Sequence, residues 1–295
     1  MGQDKKSVVR VAVVQAGSVP WDTVASLQRL DRWAGEAAAA GAELIVFPEA
    51  FIGGYPKGMD FGVTVGRRTE EGRRQFARYA EGAIADAEEM AAVAAAHGVW
   101  LVVGAIERDG GTLYCTVYYL APDGTVAGKH RKVMPTAMER LIWGFGDGST
   151  LGVVETPMGR VGAAICWENY MPQLRLALYG QGVELYCAPT VDDRETWLPT
   201  VRHIAMEGRC FVLSACQWQP PGEWAAITGG SVIIDPLGSV IAGPKRDGEG
   251  LLVADLDMGK IREAQFDLDV VGHYGRPDLF RLVVNTQAQN SVEED

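Results

Sequence analysis

The sequence predicts an α/β fold in which two β-sheets pack together and helices cover their outer faces. Short apolar, β-branched runs alternate with longer Ala-rich segments in both halves of the chain, which is typical of β-α-β units. Turns with Pro at the second position and Gly at the fourth separate other runs, at residues 121–124, 156–159 and 235–238. Such turns close hairpins, so a purely parallel sheet is excluded.

The first half of the chain is predicted to contain five strands and two helices. Its strands are apolar and β-branched, and Pro48 stops the second of them. The first helix has Asp22 or Thr23 as its N-cap, and the second ends at Gly98. The strands lie at residues 8–15, 43–47, 99–106, 113–120 and 125–130, and the helices at residues 23–41 and 69–97.

The second half repeats this alternation, and no linker separates it from the first. We therefore expect residues 1–295 to form a single domain, with an irregular tail from about residue 272 and frayed residues at 291–295. The predicted strands lie at residues 151–155, 161–166, 184–188, 211–216, 231–234, 240–242 and 251–255. The predicted helices lie at residues 172–180, 196–208 and 260–266.

Composition narrows the classes of partner. The 295 residues are 47% hydrophobic and carry a net charge of −11 without any Lys/Arg-rich run, which argues against a nucleic-acid partner and favours a small neutral or cationic ligand. No apolar run approaches the roughly 20 residues that span a bilayer, so no membrane partner is expected. The four histidines have no metal-ligand spacing, so we expect no metal and no cofactor.

Cysteine usage and the N-terminus indicate a cytoplasmic protein. The chain has five cysteines, an odd number, and no C-x-x-C pair, which favours free thiols in a reducing compartment over a disulfide framework. Residues 1–7 are polar and lead directly into a strand, so no signal peptide is expected.

Cys166 is the candidate nucleophile. It ends a predicted strand shortly before a predicted helix, where free backbone N–H groups and the helix dipole are expected to lower the pKa of a thiol. The alternative is a buried structural cysteine, and the local sequence leaves both interpretations open. The structural interpretation is preferred for the other cysteines, at positions 115, 187, 210 and 216.

Two charged residues also follow predicted strands. Glu49 comes directly after Pro48, and the nearby Phe51 and Tyr55 indicate partial burial, which would raise the pKa of this carboxyl toward that of a general base. Lys132 is the last of three consecutive basic residues at the end of another strand. Such a run is usually a solvated face, but the apolar Val133 and Met134 that follow indicate that at least one of the three points inward. The ends of strands meet in one crevice in α/β folds, so a thiol, a base and a cation are expected to converge.

Three stretches resemble the signature motifs of the nitrilase family. They are FPEAFIGGYP at residues 47–56, HRKVMPTAMER at residues 130–140 and CWENYMP at residues 166–172. The stretches YCAPT at residues 186–190 and GHYGRP at residues 272–277 are also similar to parts of that family. The likeness runs in order along nearly the whole chain, and it implies the four-layer α-β-β-α sandwich of the carbon–nitrogen hydrolase type.

The resemblance also implies roles for individual residues. Glu49 corresponds to the general base, Lys132 to the cation and Cys166 to the nucleophile, while Glu139 matches a second glutamate near the site. The alternative for Glu139 is an exposed residue on a helix. Trp167 is expected to offer its backbone N–H to developing charge. Further substrate-binding residues are expected at positions Tyr55 and Thr190, in two of the matching stretches.

The implied reaction is hydrolysis of an organic nitrile to the carboxylic acid and ammonia through a thioimidate and a thioester on the cysteine. Two alternatives stay open: an amidase or carbamoyl hydrolase with the same three residues, and a catalytically silent small-molecule-binding scaffold. Residues 172–179 and 196–208 carry more apolar side chains than one helix face needs. Self-association into a dimer or larger assembly is therefore expected.

Overall fold

The protein, as a computed structural model, is described over residues 6–290 and residue 292. The expectations for residues 1–5 and for most of residues 291–295 therefore lie outside the described residues. The strands of the first half are β1 Val8–Gln15, β2 Leu44–Val46, β3 Trp100–Asp109, β4 Thr112–Leu120 and β5 Val126–Arg131. Its helices are α1 Thr23–Ala39, α2 Glu70–Glu81 and α3 Glu88–His97.

The second half contains the remaining strands and helices. Its strands are β6 Val153–Thr156, β7 Gly159–Ala163, β8 Leu185–Cys187, β9 Phe211–Ser214, β10 Trp218–Gln219, β11 Ile227–Thr228, β12 Ser231–Ile234, β13 Val240–Lys245 and β14 Gly250–Asp257. Its α-helices are α4 Pro172–Gly180, α5 Trp197–Gly208 and α6 Gly259–Ala264, and short 3₁₀ helices span Ala137–Leu141, Gly148–Thr150 and Cys166–Tyr170.

Two six-stranded mixed sheets form the centre of the fold. Their strand orders are β14-β1-β2-β3-β4-β5 and β13-β12-β9-β8-β7-β6, and β10 pairs with β11 in a separate ribbon that the sequence did not predict. In each sheet the inner strands β1-β2-β3 and β7-β8-β9 run parallel. Hairpins flank them, so the predicted mixture of hairpins and β-α-β units is confirmed.

Alternating side chains divide the core into three layers. Along β1, Val11 and Val13 point into the cluster shared by the two sheets, while Ala12 and Val14 pack with α1 and α3 on the outer side. In β8, Leu185 faces the inner cluster and Tyr186 packs with α4 and α5. Because a strand side chain changes face at every residue, the resulting architecture is the expected four-layer α-β-β-α sandwich.

One predicted element is wrong. The single helix over residues 69–97 is two helices, because Gly82 ends α2 and the chain then extends alongside β3. The Ile84 N–H donates to the Ile106 carbonyl at 2.9 Å, and the Arg108 N–H donates to the Ile84 carbonyl at 2.7 Å. This pairing satisfies backbone groups at the end of β3, which a continuous helix would leave without partners.

Residues 272–290 contain neither helix nor strand. None of the described helices is long and apolar enough to cross a membrane.

Candidate active site

The turn after β2 carries Glu49 into the space between the two sheets. The carboxyl is fully buried, and the next residue, Ala50, has a φ of +50°, a left-handed conformation that is costly for a residue with a Cβ. Gly104 in β3 permits this turn, because a Cβ at Gly104 would approach the Pro48 carbonyl oxygen to 2.3 Å. The turn is therefore pressed tightly against the first sheet.

Lys132, directly after β5, is a buried cation between two carboxylates. Its Nζ lies 2.7 Å from Glu49 Oε1 and 2.8 Å from Glu139 Oε2. Glu139 lies in the 3₁₀ helix Ala137–Leu141, where it also accepts from the Thr136 N–H at 2.7 Å and from the Tyr55 hydroxyl at 2.7 Å. The alternative of an exposed Glu139 is thus wrong, since its side chain is buried against Lys132.

Cys166 lies where β7 gives way to the 3₁₀ helix Cys166–Tyr170. The predicted strand ends earlier, at Ala163, and Cys166 adopts a φ of +51°. Its N–H donates to the Pro189 carbonyl at 2.9 Å, and the Thr190 hydroxyl donates to its Sγ at 3.1 Å. This geometry turns the thiol into the space between the sheets, beside Glu49 and Lys132.

Burial dominates the electrostatics of this cluster. It raises the pKa of Glu49, and the attraction of Lys132 only partly opposes the shift. Burial alone would lower the pKa of Lys132, but the carboxylates of Glu49 and Glu139 raise it well above the usual value. The resting site therefore combines a lysine that stays protonated with a carboxyl that can accept a proton.

The expectation that the helix dipole lowers the pKa of Cys166 is wrong. Burial, followed by the neighbouring Glu49 carboxylate, raises the pKa of the thiol well above its usual value. The helix that begins at Cys166 has only five residues, so its dipole is small compared with the cost of desolvating a thiolate. The thiol needs a base at the moment of attack, and Glu49 is in position to act as one.

Trp167 lies in the first turn of the same 3₁₀ helix, where N–H groups lack intrahelical acceptors. Its indole Nε1 donates to Asp192 at 2.9 Å, and the guanidinium of Arg194 lies 4.5 Å from the ring centroid. Arg194 in turn donates through Nε to Asp192 at 2.7 Å. Asp192 and Arg194 thus hold the side chain of Trp167, which is 40% exposed, next to Cys166 along the chain.

Two buried residues, Glu168 and His130, support the turn that carries Cys166, and neither was predicted from the sequence as a site residue. Glu168 is buried and accepts from the Ile165 N–H at 2.6 Å and the Val133 N–H at 2.9 Å, and it pairs with His130 at 2.6 Å. It therefore joins the turn after β5 to the turn after β7. Both Glu168 and His130 are within stretches that resemble the family, but sequence alone gives no sign that they meet.

Asn169 supports the turn that carries Cys166 through hydrogen bonds to its backbone. Its Nδ2 donates to the carbonyls of Ala164 at 2.7 Å and Cys166 at 2.9 Å, and its Oδ1 accepts from the Tyr186 hydroxyl at 2.8 Å. These bonds satisfy backbone groups that the strained turn leaves outside any sheet or helix ladder.

A cavity of about 160 Å³ opens beside the cluster. Glu139 and Tyr55 form the side nearest Lys132, and the remaining wall is mostly apolar. The other lining residues include Lys57, Met59, Phe61, Leu141, Ile142 and Trp143. In the described part of the chain, no group of three His, Cys, Asp or Glu side chains could hold a metal ion.

The structure thus brings together six of the seven sequence-predicted site residues through direct contacts around one crevice, and Trp167 adjoins the nucleophile along the chain. Tyr55 contacts Glu139, and Thr190 contacts the Cys166 thiol. Both were expected to bind substrate, and each is hydrogen-bonded to another member of the site.

Comparison with known proteins identifies the family of the chain. The family model for carbon–nitrogen hydrolases matches residues 10–266. The C. elegans NitFhit protein superposes with a TM-score of 0.79 at 21% identity, covering 97% of this chain and 69% of that one. The chain therefore belongs to the carbon–nitrogen hydrolase family.

Closer relatives narrow the assignment within that family. An aliphatic nitrilase of Sinorhizobium fredii is 56% identical, with 96% of this chain and 97% of the relative covered. A bifunctional nitrilase/nitrile hydratase of Lupinus angustifolius is 52% identical, with 96% and 88% covered. The chain is a nitrilase, a hydrolase acting on carbon–nitrogen bonds.

Proposed function

We propose that this nitrilase converts an organic nitrile to its carboxylic acid and ammonia through covalent intermediates on Cys166. The observation that carries the proposal is the convergence of a thiol, a carboxyl with a raised pKa and a protonated lysine in one buried crevice. A buried thiol needs a base, and the charge that develops on the nitrile needs a cation, so the three groups supply complementary functions.

In the first half of the reaction, Glu49 takes the proton of Cys166 as Sγ attacks the nitrile carbon. The S–C bond forms and one π bond of the C≡N group moves its electrons onto nitrogen. Lys132 and the Trp167 N–H stabilise that negative charge, and Glu49 returns the proton to nitrogen. The product of these steps is a neutral thioimidate.

In the second half, Glu49 deprotonates a water that adds to the thioimidate carbon. The resulting tetrahedral intermediate carries a hydroxyl, an amino group and sulfur on one carbon. Glu49 delivers the proton of the water to the nitrogen, then takes the proton of the new hydroxyl and passes it to the amino group. The C=O bond forms as the C–N bond breaks, and ammonia leaves a thioester. A second water, again deprotonated by Glu49, releases the acid and restores the Cys166 thiol.

The tetrahedral intermediate also determines the ratio of acid to amide. If Lys132 and the Trp167 N–H hold the oxygen, ammonia departs and acid forms. If the amino group is held instead, the C–S bond breaks and the amide is released. We expect mostly acid with a minor amide fraction, and the name of the Lupinus relative, which includes nitrile hydratase, supports a second product.

The lining of the cavity favours an apolar substituent on the nitrile. Apart from Glu139, Tyr55 and the charged Lys57 and Asp60, the residues that line this space of about 160 Å³ are apolar. Burial of an apolar group there would be favourable and would exclude water from the reacting carbon.

The test is product analysis on a substrate panel. Purified protein is incubated with arylacetonitriles, arylpropionitriles, aliphatic nitriles and β-cyanoalanine beside the matching amides, with Cys166→Ala as the control. We expect ammonia and acid from nitriles, and none from the variant. Faster hydrolysis of the amides would favour an amidase, and no ammonia from either class would favour a silent scaffold.

We further propose that the chain is a single cytoplasmic domain that self-associates. Five free, buried cysteines support a reducing compartment. The exposed apolar side chains lie less on the helices than the sequence indicated: Leu176 of α4 and Met206 of α5 are 37% exposed, whereas Phe280 and Val283 of the tail are 78% and 84% exposed. Light scattering should give at least twice the monomer mass, and a value near 31.8 kDa at micromolar concentration would contradict self-association.

A further inference from the structure

A buried glutamine links the two sides of the site. Gln217 follows β9 in the second sheet and is completely buried. Its side-chain Nε2 donates to the Glu49 carbonyl at 2.7 Å and to the Ala50 carbonyl at 3.3 Å, across the interface between the halves of the chain. The amide therefore holds the turn that carries the general base from the side opposite Gly104.

The backbone of the same residue reaches the nucleophile. The Gln217 N–H donates to the Thr190 carbonyl at 3.2 Å, and the Thr190 hydroxyl donates to Cys166 Sγ at 3.1 Å. Gln217 is thus hydrogen-bonded both to Thr190, which contacts the thiol, and to the backbone of Glu49, whose side chain is the carboxylate.

The Glu49 turn has a specific need for such a partner. Ala50 is held at a φ of +50°, and strained backbone persists only where surrounding contacts fix it. The carbonyls of Glu49 and Ala50 lie outside the β2 ladder, so the glutamine amide supplies hydrogen bonds that the sheet does not. A residue without a donor at position 217 would leave the turn free to relax away from the thiol.

We infer that Gln217 is a positioning residue that fixes the separation between the Glu49 carboxylate and the Cys166 thiol. The inference rests on the proposed roles of those two residues. It assigns Gln217 no contact with the substrate. Its loss should therefore slow proton transfer from the thiol and lower kcat, while substrate binding in the cavity beside Glu139 is retained.

The chain offers a matched control for the test. Gln219, two residues further on, is also buried, and its Nε2 donates at 2.9 Å to the carbonyl of Ala225 instead of to the Glu49 turn. Methionine approximates the volume of glutamine and removes the donor. Gln217→Met is expected to lower kcat about tenfold to a hundredfold with KM changed less than about threefold, whereas Gln219→Met keeps kcat within about twofold.

A second readout does not depend on nitrile turnover. Iodoacetamide alkylation of Cys166, followed by mass spectrometry of its peptide, reports how readily the thiol loses its proton. In Gln217→Met the alkylation rate at neutral pH should fall about tenfold, and it should approach the wild-type rate at high pH, where hydroxide removes the proton. If wild type proves inactive on nitriles but shows this difference, the proposed reaction fails and the positioning role stands.

Two results would overturn the inference. The first is that Gln217→Met keeps the wild-type kcat and the wild-type alkylation rate of Cys166. The second is that kcat falls equally in Gln217→Met and Gln219→Met. If Gln217→Met does not fold, Ser18→Ala provides the test, because the Ser18 hydroxyl donates to Gln217 Oε1 at 3.4 Å. A loss of about threefold in both readouts is expected for Ser18→Ala, and no change in either would contradict the positioning role.

Discussion

Two buried carboxylates lie on opposite faces of the first sheet, and both contact basic residues from the same stretch of chain. Glu107 pairs with Lys129 at 2.6 Å and Arg131 at 2.6 Å on the outer face. Glu49 pairs with Lys132 at 2.7 Å on the inner face. The pKa of Glu107 is about 2, since hydrogen bonds from its two cations outweigh burial, whereas burial raises the pKa of Glu49.

The difference shows how the fold separates a carboxylate whose charge is fixed from one that can take up a proton. Glu107 is buried but accepts hydrogen bonds from Lys129, Arg131 and Thr116, so its charge is fixed over the physiological pH range. Glu49 is fully enclosed and shares a single lysine with Glu139, so its charged form is stabilised less. The number of donors, more than the presence of an ion pair, determines which carboxylate can exchange a proton.

The largest expected effect is on kcat, and it distinguishes Glu49 from Glu107. Glu49→Gln removes the base and Lys132→Met removes the cation, and each should lower kcat by about a thousandfold, because a positioned base or charge contributes on that scale. Glu107→Gln is the control and should keep kcat within about twofold. Steady-state kinetics on a nitrile checks this, and near-wild-type turnover in Glu49→Gln or Lys132→Met would show that the roles are misassigned.

A smaller effect is expected where Tyr55 holds Glu139. The partly buried phenol, whose pKa is raised by burial and by the Glu139 carboxylate, stays protonated and donates at 2.7 Å. Tyr55→Phe keeps the ring but removes this bond, so Lys132 loses orientation and kcat should fall about tenfold. Tyr118→Phe, in the outer core of the first sheet, is the control. If Tyr55→Phe and Tyr118→Phe had equal kcat, the hydroxyl of Tyr55 would have no role in turnover.

Sequence patterns predicted which residues form the site better than they predicted the pKa values of those residues. Glu49, Lys132 and Cys166 each follow a strand, so their convergence could be expected from strand-end geometry and from the family resemblance. The pKa of Cys166 could not, because its sign depends on how completely both sheets exclude water from the thiol. Gln217 was also missed, since its role arises from a contact 168 positions away along the chain.

The same limit applies to the fold. Periodicity identified the strands of both sheets, but it merged α2 and α3 into one helix. The chain on either side of Gly82 has equally helical composition, and only the free end of β3 draws residue Ile84 into an extended conformation. Long-range backbone pairing overrode local propensity there.

The smallest expected effect concerns stability and acid. The folded pKa of Glu107, about 2, lies below the usual value of 4.5, so its ionisation stabilises the fold above about pH 4.5, and this contribution is lost as pH falls toward 2. Glu107→Gln should lower the free energy of unfolding by about 1–2 kcal/mol at pH 7, after allowance for solvent screening. Urea unfolding at pH 7 and pH 3 checks this. A difference from wild type that does not shrink at pH 3 would contradict it.

The covalent role of Cys166 has the most direct test in the enzyme itself. Wild type is mixed with an excess of a nitrile that it hydrolyses, quenched in acid within the first turnovers, digested and examined by mass spectrometry. We expect the peptide that contains Cys166 to gain the mass of the acyl or imidoyl group. In Glu49→Gln, little of this adduct should accumulate, because attack by the thiol is slowed. Sustained acid formation by Cys166→Ala, or an adduct found only on another residue, would contradict the account.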